Sequence, residues 1–120
     1  MAEVLVYVTA ASRDHALLIG RTLVEERLAA CVNVLGSIAS IYRWEGEVCE
    51  EEEVAFIAKT RAELVSALSE RVHDLHDYET PCIVAVDITG GNPEFLAWIA
   101  GQCLDPAAMP AEKEAEQPEP

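Results

Sequence analysis

The sequence contains few basic residues. It has 8 Lys and Arg against 22 Asp and Glu, which gives a formal net charge of −14. A nucleic-acid-binding face needs clustered Lys and Arg, so no nucleic-acid partner is expected. No apolar run reaches the length of a membrane span, and the opening Met1-Ala2-Glu3-Val4 lacks the basic start of a signal peptide. We therefore expect a cytoplasmic protein without a membrane partner.

Paired cysteine motifs and catalytic motifs are also missing. The four cysteines, Cys31, Cys49, Cys82 and Cys103, are widely spaced and form no CxxC pair, which argues against a zinc ribbon or a thioredoxin-type site. Free, largely buried thiols are expected instead. The sequence also shows no nucleophile–base pair, glycine-rich phosphate loop or metal-protease spacing. An enzymatic activity is therefore not expected.

The most prominent feature that is present is a long predicted β-hairpin. Its arms, residues 31–44 and 48–60, are joined by a polar turn at Glu45-Gly46-Glu47, and a bulge is expected near Gly36-Ser37. An arm of about fourteen residues is roughly 46 Å long, whereas a domain of about 100 residues has a radius of gyration near 13 Å. The far end would expose an open strand edge and aromatic side chains, so we expect another subunit to receive it.

The rest of the chain alternates between apolar strands and amphipathic helices. The predicted elements are a strand at Glu3 to Thr9, helices at Arg13 to Leu28 and Glu63 to Leu75, a strand at Cys82 to Ile88, and a short helix at Glu94 to Gln102. The order β-α-β-β-α-β-α predicts an α+β fold, a ferredoxin-like split β-α-β sandwich with an overlong hairpin and a short C-terminal helix. Residues 1–104 form this domain, and 105–120, rich in Pro, Ala and Glu, are expected to be a disordered acidic tail.

Four segments occur together in one order: ERLAACVNV at 26–34, SIYRWEGEV at 40–48, Ala58-Lys59-Thr60, and HDYETP at 76–81. With this combination the chain resembles the CutA divalent-cation tolerance family, over about residues 4–99. The resemblance implies a tight homotrimer, similar in architecture to PII signalling proteins, with a role in tolerance of divalent metals such as copper. Family members usually carry proline where this chain has Asp77.

Three residues are candidate metal ligands: His76, Glu79 and Cys31. A histidine beside a carboxylate could bind Cu²⁺ or Zn²⁺. An equally good interpretation is that this segment only closes the helix. For Cys31, a buried strand thiol is the more economical interpretation. The resemblance implies copper ligands in some members at the positions of Val8 and Leu75, neither of which can coordinate a metal here. Any copper binding is therefore expected to be weak.

Other polar and aromatic residues are expected to lie at subunit boundaries. Tyr42, Trp44 and Tyr78 are interpreted as interface anchors. Lys59 could meet an anionic ligand in a cleft between subunits, or pair with a glutamate. The acidic run at residues 50–53 is interpreted as a solvated strand edge, because successive strand residues point to opposite faces.

Three functions remain open from the sequence. The first is a cytoplasmic homotrimer that responds to divalent metals and binds copper weakly. The second is a PII-like signalling module that binds a small anionic ligand between subunits. The third is a structural trimer that recruits protein partners. The fold alone does not choose among them.

Overall fold

The structure, a computed structural model, describes residues 2–108 of the chain. Its elements follow the predicted order. They are β1 (Glu3–Ala10), α1 (Arg13–Glu25), β2 (Cys31–Trp44), β3 (Glu47–Arg61), α2 (Val65–Leu75), β4 (Ile83–Asp87) and α3 (Pro93–Gln102), with 3-10 turns at Ala62–Leu64 and Pro106–Ala108. The second turn lies in the predicted acidic tail, whose remaining residues, 109–120, are outside the described part of the chain.

The four strands form one antiparallel sheet in the order β2-β3-β1-β4. The central position of β1 agrees with its nearly continuous apolar sequence. Val6, for example, pairs with Ala58 of β3 on one side and with Ala85 of β4 on the other. Together with the helices packed on one face, this topology confirms the predicted ferredoxin-like α+β fold.

The main core lies between the sheet and helices α1 and α2. Alternate residues of β1 are buried there, and so are the helix residues at the matching spacing. The buried members are Val4, Val6, Val8, Ala16, Ile19, Leu23, Val54, Phe56, Ala58, Leu68 and Val72. Helix α1 lies close to β2 at Gly20, where a Cβ atom would stand 2.9 Å from Cγ1 of Val32. A larger residue at Gly20 would therefore push the helix and the strand apart.

Helix α1 is shorter than predicted and ends at Glu25. Arg27 adopts a left-handed φ of 63°, its N–H donates to the Val24 carbonyl, and the N–H of Leu28 donates to the Leu23 carbonyl. These two bonds form a Schellman motif, which normally uses glycine at the left-handed position. Because Arg27 occupies that position, the sequence carried no glycine signal for the helix end.

The β2–β3 hairpin extends beyond the end of its neighbouring strand β1. β3 pairs with β1 only from Val54 to Arg61, whereas it stays paired with β2 as far as Trp44 opposite Glu47. A register shift between Val34 and Gly36 confirms the predicted bulge. The radius of gyration is 15.1 Å, compared with the roughly 13 Å expected for a compact chain of this length.

The hairpin turns at Glu45 and Gly46, within the predicted polar segment, and Glu47 already belongs to β3. Glu45 and Gly46 both have positive φ, 50° and 83°, as in the two-residue turns that match the twist of a β-hairpin. Beside this turn the hairpin exposes large apolar side chains: Ile41 is 68%, Trp44 58% and Val48 67% exposed.

The sheet face away from α1 and α2 is largely uncovered. We call it the open face and define it by Leu5, Tyr7, Val84 and Val86. Val84 pairs with Tyr7 and Val86 with Leu5, and each valine is 52% exposed. Such a contiguous apolar surface is unusual on a monomer. Among residues 2–108 no helix is both long and apolar enough to cross a membrane.

Candidate functional site

His76 anchors the loop between α2 and β4 to the end of β1. Its Nε2 lies 2.7 Å from the carbonyl oxygen of Thr9, and its Nδ1 lies 3.1 Å from the backbone nitrogen of Tyr78. A carbonyl only accepts and an N–H only donates, so Nε2 carries the proton and Nδ1 accepts. His76 is 9% exposed. Both ring nitrogens are therefore engaged, and metal coordination by His76 would require one of these bonds to break.

Tyr78 connects the same loop to the hairpin. Its hydroxyl donates to Oε2 of Glu53 at 3.1 Å, and the hydroxyl of Ser40 donates to Oε1 at 2.6 Å. Burial, followed by the hydrogen bond to Glu53 and the charge of that carboxylate, raises the pKa of Tyr78 to about 12. Tyr78 therefore acts as a hydrogen-bond donor at all physiological pH values.

Cys82 lies at the other end of this loop and is half-buried. Burial first, and the negative charge of Glu53 second, raise the pKa of its thiol, while a hydrogen bond to Thr9 acts in the opposite direction. Because the thiolate is the form that attacks electrophiles and binds metals, this environment makes Cys82 a poor nucleophile and a poor ligand.

The other two histidines also hold this loop. Nε2 of His15, on α1, lies 2.8 Å from the carbonyl oxygen of Leu75, and Nε2 of His73 lies 2.9 Å from the carbonyl oxygen of Glu79. In both cases the ring nitrogen must be the donor. Nδ1 of His15 faces Oδ2 of Asp77 at 3.6 Å. All three histidines thus use Nε2–H to fix backbone carbonyls.

The predicted metal ligands are not assembled into one group. Cys31 starts β2 opposite Lys59, on the sheet, whereas His76 and Glu79 lie in the α2–β4 loop. Within the described part of the chain, no three side chains of His, Cys, Asp or Glu are grouped so that they could hold a metal ion. A metal site built from His76, Glu79 and Cys31 together finds no support in this geometry.

The predicted interface residues are at the hairpin and at its base. Tyr42 and Trp44 are 38% and 58% exposed near the hairpin turn. A hydrogen bond from Tyr42 to Glu51, more than any other effect, raises the pKa of the Tyr42 phenol. Lys59 donates to Oδ1 of Asn33 at 2.7 Å, and its Nζ lies 5.7 Å from the centroid of the Phe95 ring.

Two residues of this region were not identified from the sequence. Glu53 was interpreted as part of a solvated strand edge, but its carboxylate accepts both Ser40 and Tyr78, which sit 13 and 25 residues away in the chain. His15 was not considered as a site residue. The sequence contains no local signal for either, because the partners meet only through the strand register and helix packing.

The sequence is similar to one protein family and to several of its members. The CutA1 divalent ion tolerance protein family matches residues 4–102. The divalent-cation tolerance protein CutA of Thermus thermophilus is 47% identical over 97 residues, which cover 81% of this chain and 94% of the relative. The chloroplastic protein CutA of Arabidopsis thaliana is 41% identical over 97 residues, which cover 81% of this chain and 53% of the relative. The chain thus spans about half the length of the plant protein.

Solved structures show the same fold at substantial identity. The divalent cation tolerance protein Cut A1 of Thermus thermophilus has a TM-score of 0.83 at 46% identity, covering 84% of this chain and 98% of that one. The Archaeoglobus fulgidus protein, described as a periplasmic divalent cation tolerance protein CutA, has a TM-score of 0.81 at 41% identity, covering 83% of this chain and 97% of that one. The chain belongs to the CutA1 divalent ion tolerance protein family.

Proposed function

We propose that this protein acts in divalent cation tolerance as a cytoplasmic, non-enzymatic homotrimer that binds copper weakly. Membership in the CutA1 divalent ion tolerance protein family, several members of which are named divalent-cation tolerance proteins, supports the role in cation tolerance. The remaining parts of the proposal, which are the assembly, the ion and the compartment, are supported by features of this chain.

The open face is the observation that carries the assembly. Val84 and Val86 are half exposed on the edge strand β4, beside Leu5 and Tyr7 of β1. An apolar surface of this kind favours association with a partner in water. The hairpin adds exposed Ile41, Trp44 and Val48 at a distance from the core. A closed ring of three identical subunits covers both surfaces in every copy, and closed rotational symmetry leaves no copy with an open interface.

The chemistry of the side chains supports the proposed ion and the proposed compartment. Imidazole and carboxylate groups suit Cu²⁺, which stands at the top of the usual divalent order, and the lack of a three-residue cluster in residues 2–108 supports low affinity. The thiols of all four cysteines are free. Free thiols persist in reducing compartments, which supports the cytoplasm as the location.

Two measurements test this proposal. Sedimentation velocity at low micromolar concentration should give the mass of three chains, and a single-chain mass would reject the assembly. A host lacking its own CutA protein should tolerate more Cu²⁺ in its medium when this chain is expressed. Unchanged growth at every Cu²⁺ concentration would count against the role in tolerance.

A second function, binding of a small anionic ligand between subunits, is favoured by Lys59. No carboxylate ion pair of Lys59 is present among the described residues, although the chain carries a formal charge of −14. An ammonium group left without a counter-ion in so acidic a protein is a reasonable contact for a phosphate or carboxylate. Thermal-shift measurements with small phosphorylated and carboxylated metabolites should then show stabilisation that Lys59→Met removes.

A further inference from the structure

His15 has the hydrogen-bond arrangement of a metal-coordinating histidine. Its Nε2–H donates to the carbonyl oxygen of Leu75 at 2.8 Å. In the neutral ring this leaves the lone pair on Nδ1, and Nδ1 is the nitrogen that faces Asp77. Histidines that bind metals commonly donate their other N–H to a backbone carbonyl, because this bond fixes both the tautomer and the ring orientation.

Asp77 places a carboxylate at a suitable distance from that lone pair. Its Oδ2 lies 3.6 Å from Nδ1 of His15, which is too long for a good hydrogen bond. A transition-metal ion with bonds of about 2.0–2.1 Å to nitrogen and oxygen spans such a gap at an angle of about 120°. The Asp77 side chain is 77% exposed and that of His15 is 15% exposed, so one ligand is rigid and the other can adjust from the solvent side.

The neighbouring His76 is less suited to metal coordination than His15. Its ring lies 5.7 Å from the His15 ring, centroid to centroid, but its Nδ1 already accepts the Tyr78 N–H. Coordination at His76 would break a bond that holds the loop. Coordination at His15 breaks no hydrogen bond seen in the structure.

We propose that Nδ1 of His15 and the carboxylate of Asp77 bind a divalent transition-metal ion, with Cu²⁺ preferred and water completing the coordination shell. This site rests on the proposed role in divalent metal binding and gives it a location. With two protein ligands the affinity is modest. The bound ion joins the start of α1 to the α2–β4 loop, which also carries Tyr78 and its bond to Glu53.

Isothermal titration of the full chain with CuCl₂, in a weakly coordinating buffer, tests the site. Asp77→Asn preserves the size of the side chain and removes the anionic ligand, so its dissociation constant for Cu²⁺ should rise at least about tenfold. Asp74→Asn is the matched control, because it removes the same charge from the last turn of α2, three residues away. Its dissociation constant should stay within about twofold of wild type.

A spectroscopic measurement locates the ion independently. At a Cu²⁺ concentration below the dissociation constant of Asp77→Asn, Cu²⁺ should broaden the NMR signals of residues 15 and 77 in the wild type and in Asp74→Asn, and clearly less in Asp77→Asn. Wild-type affinity in Asp77→Asn, or broadening centred on another residue, overturns the site while leaving weak copper binding intact. An absence of Cu²⁺ binding by the wild type overturns both the site and the copper part of the proposed function.

Discussion

His76 and His73 use the same atom, Nε2, to donate to a backbone carbonyl, but only His76 is buried. Replacing His76 with Phe keeps a ring in place and leaves the Thr9 carbonyl and the Tyr78 N–H without their partner. We expect a loss of about 2–4 kcal/mol in the free energy of unfolding, since each buried unpaired group costs about 1–3 kcal/mol. Urea unfolding at matched protein concentration measures this loss in the free energy of unfolding. His73→Phe, in an exposed setting, should cost less than about 1 kcal/mol; equal losses would contradict this account.

Tyr78 makes the stability of the protein sensitive to alkaline pH. Its pKa is raised from 10.0 to about 12 in the folded state, so the folded state holds the phenol proton more tightly than the unfolded state does. The resulting stabilisation is complete below pH 10 and is lost as the pH rises through about 12. Absorbance titration at alkaline pH should lose its latest-titrating phenol in Tyr78→Phe and keep it in Tyr42→Phe, although the pKa of Tyr42 is also raised. Loss of the latest component in Tyr42→Phe instead would reassign it.

The sequence pointed to the loop after α2, but it did not predict how the residues of this loop are paired. His76 and Tyr78 were recognisable because they follow a helix end. Their partners, Thr9 and Glu53, lie 67 and 25 residues away, and only the packed sheet brings them together. Local patterns contain no information on contacts of this kind, so both residues were first assigned to a metal site or a subunit boundary.

At the scale of elements, the space around two helical glycines gives them opposite roles. Gly20→Ala places a Cβ 2.9 Å from Val32, and overpacking of about 1–3 kcal/mol exceeds the gain in helix propensity of about 1 kcal/mol. Gly101, in α3, has nothing within 4 Å of the added atom. Gly101→Ala should therefore raise the melting temperature, and Gly20→Ala should lower it. A higher melting temperature for Gly20→Ala would mean that α1 and β2 can separate without cost.

Element boundaries were predictable wherever glycine marked them. Gly46 and the bulge before Gly36 occur where the alternation of the strands breaks, because glycine adopts positive φ easily. The end of α1 was predicted three residues late, because Arg27, a residue that seldom adopts that conformation, takes the left-handed position there. A tertiary contact accompanies this conformation: the Arg27 side chain donates to the carbonyl oxygens of Gly101 and Gln102 at the end of α3.

At the scale of the whole molecule, the overlong hairpin was enough to predict a partner subunit, but the open face was not predicted. The nearly continuous apolar sequence of β1 is typical of a strand buried on both faces. In the structure Val4, Val6 and Val8 are buried, whereas Leu5 and Tyr7, which point the other way, are only half-buried. An apolar residue that faces a second subunit has the same sequence pattern as one that faces the protein's own core.

The proposed trimer can be tested by placing a charge on that surface. Val86→Lys puts an ammonium group at a position that is 52% exposed in one subunit and, in the proposed assembly, faces apolar side chains of another. Burying an unpaired charge is costly enough to dissociate the assembly at low micromolar concentration. Leu18→Lys is the matched control, since Leu18 is 51% exposed but lies on α1, in the helical layer. Sedimentation should show single chains or aggregates for Val86→Lys and intact trimers for Leu18→Lys. An intact trimer in Val86→Lys would place the interface elsewhere, and the hairpin would then remain as the surface through which the subunits associate.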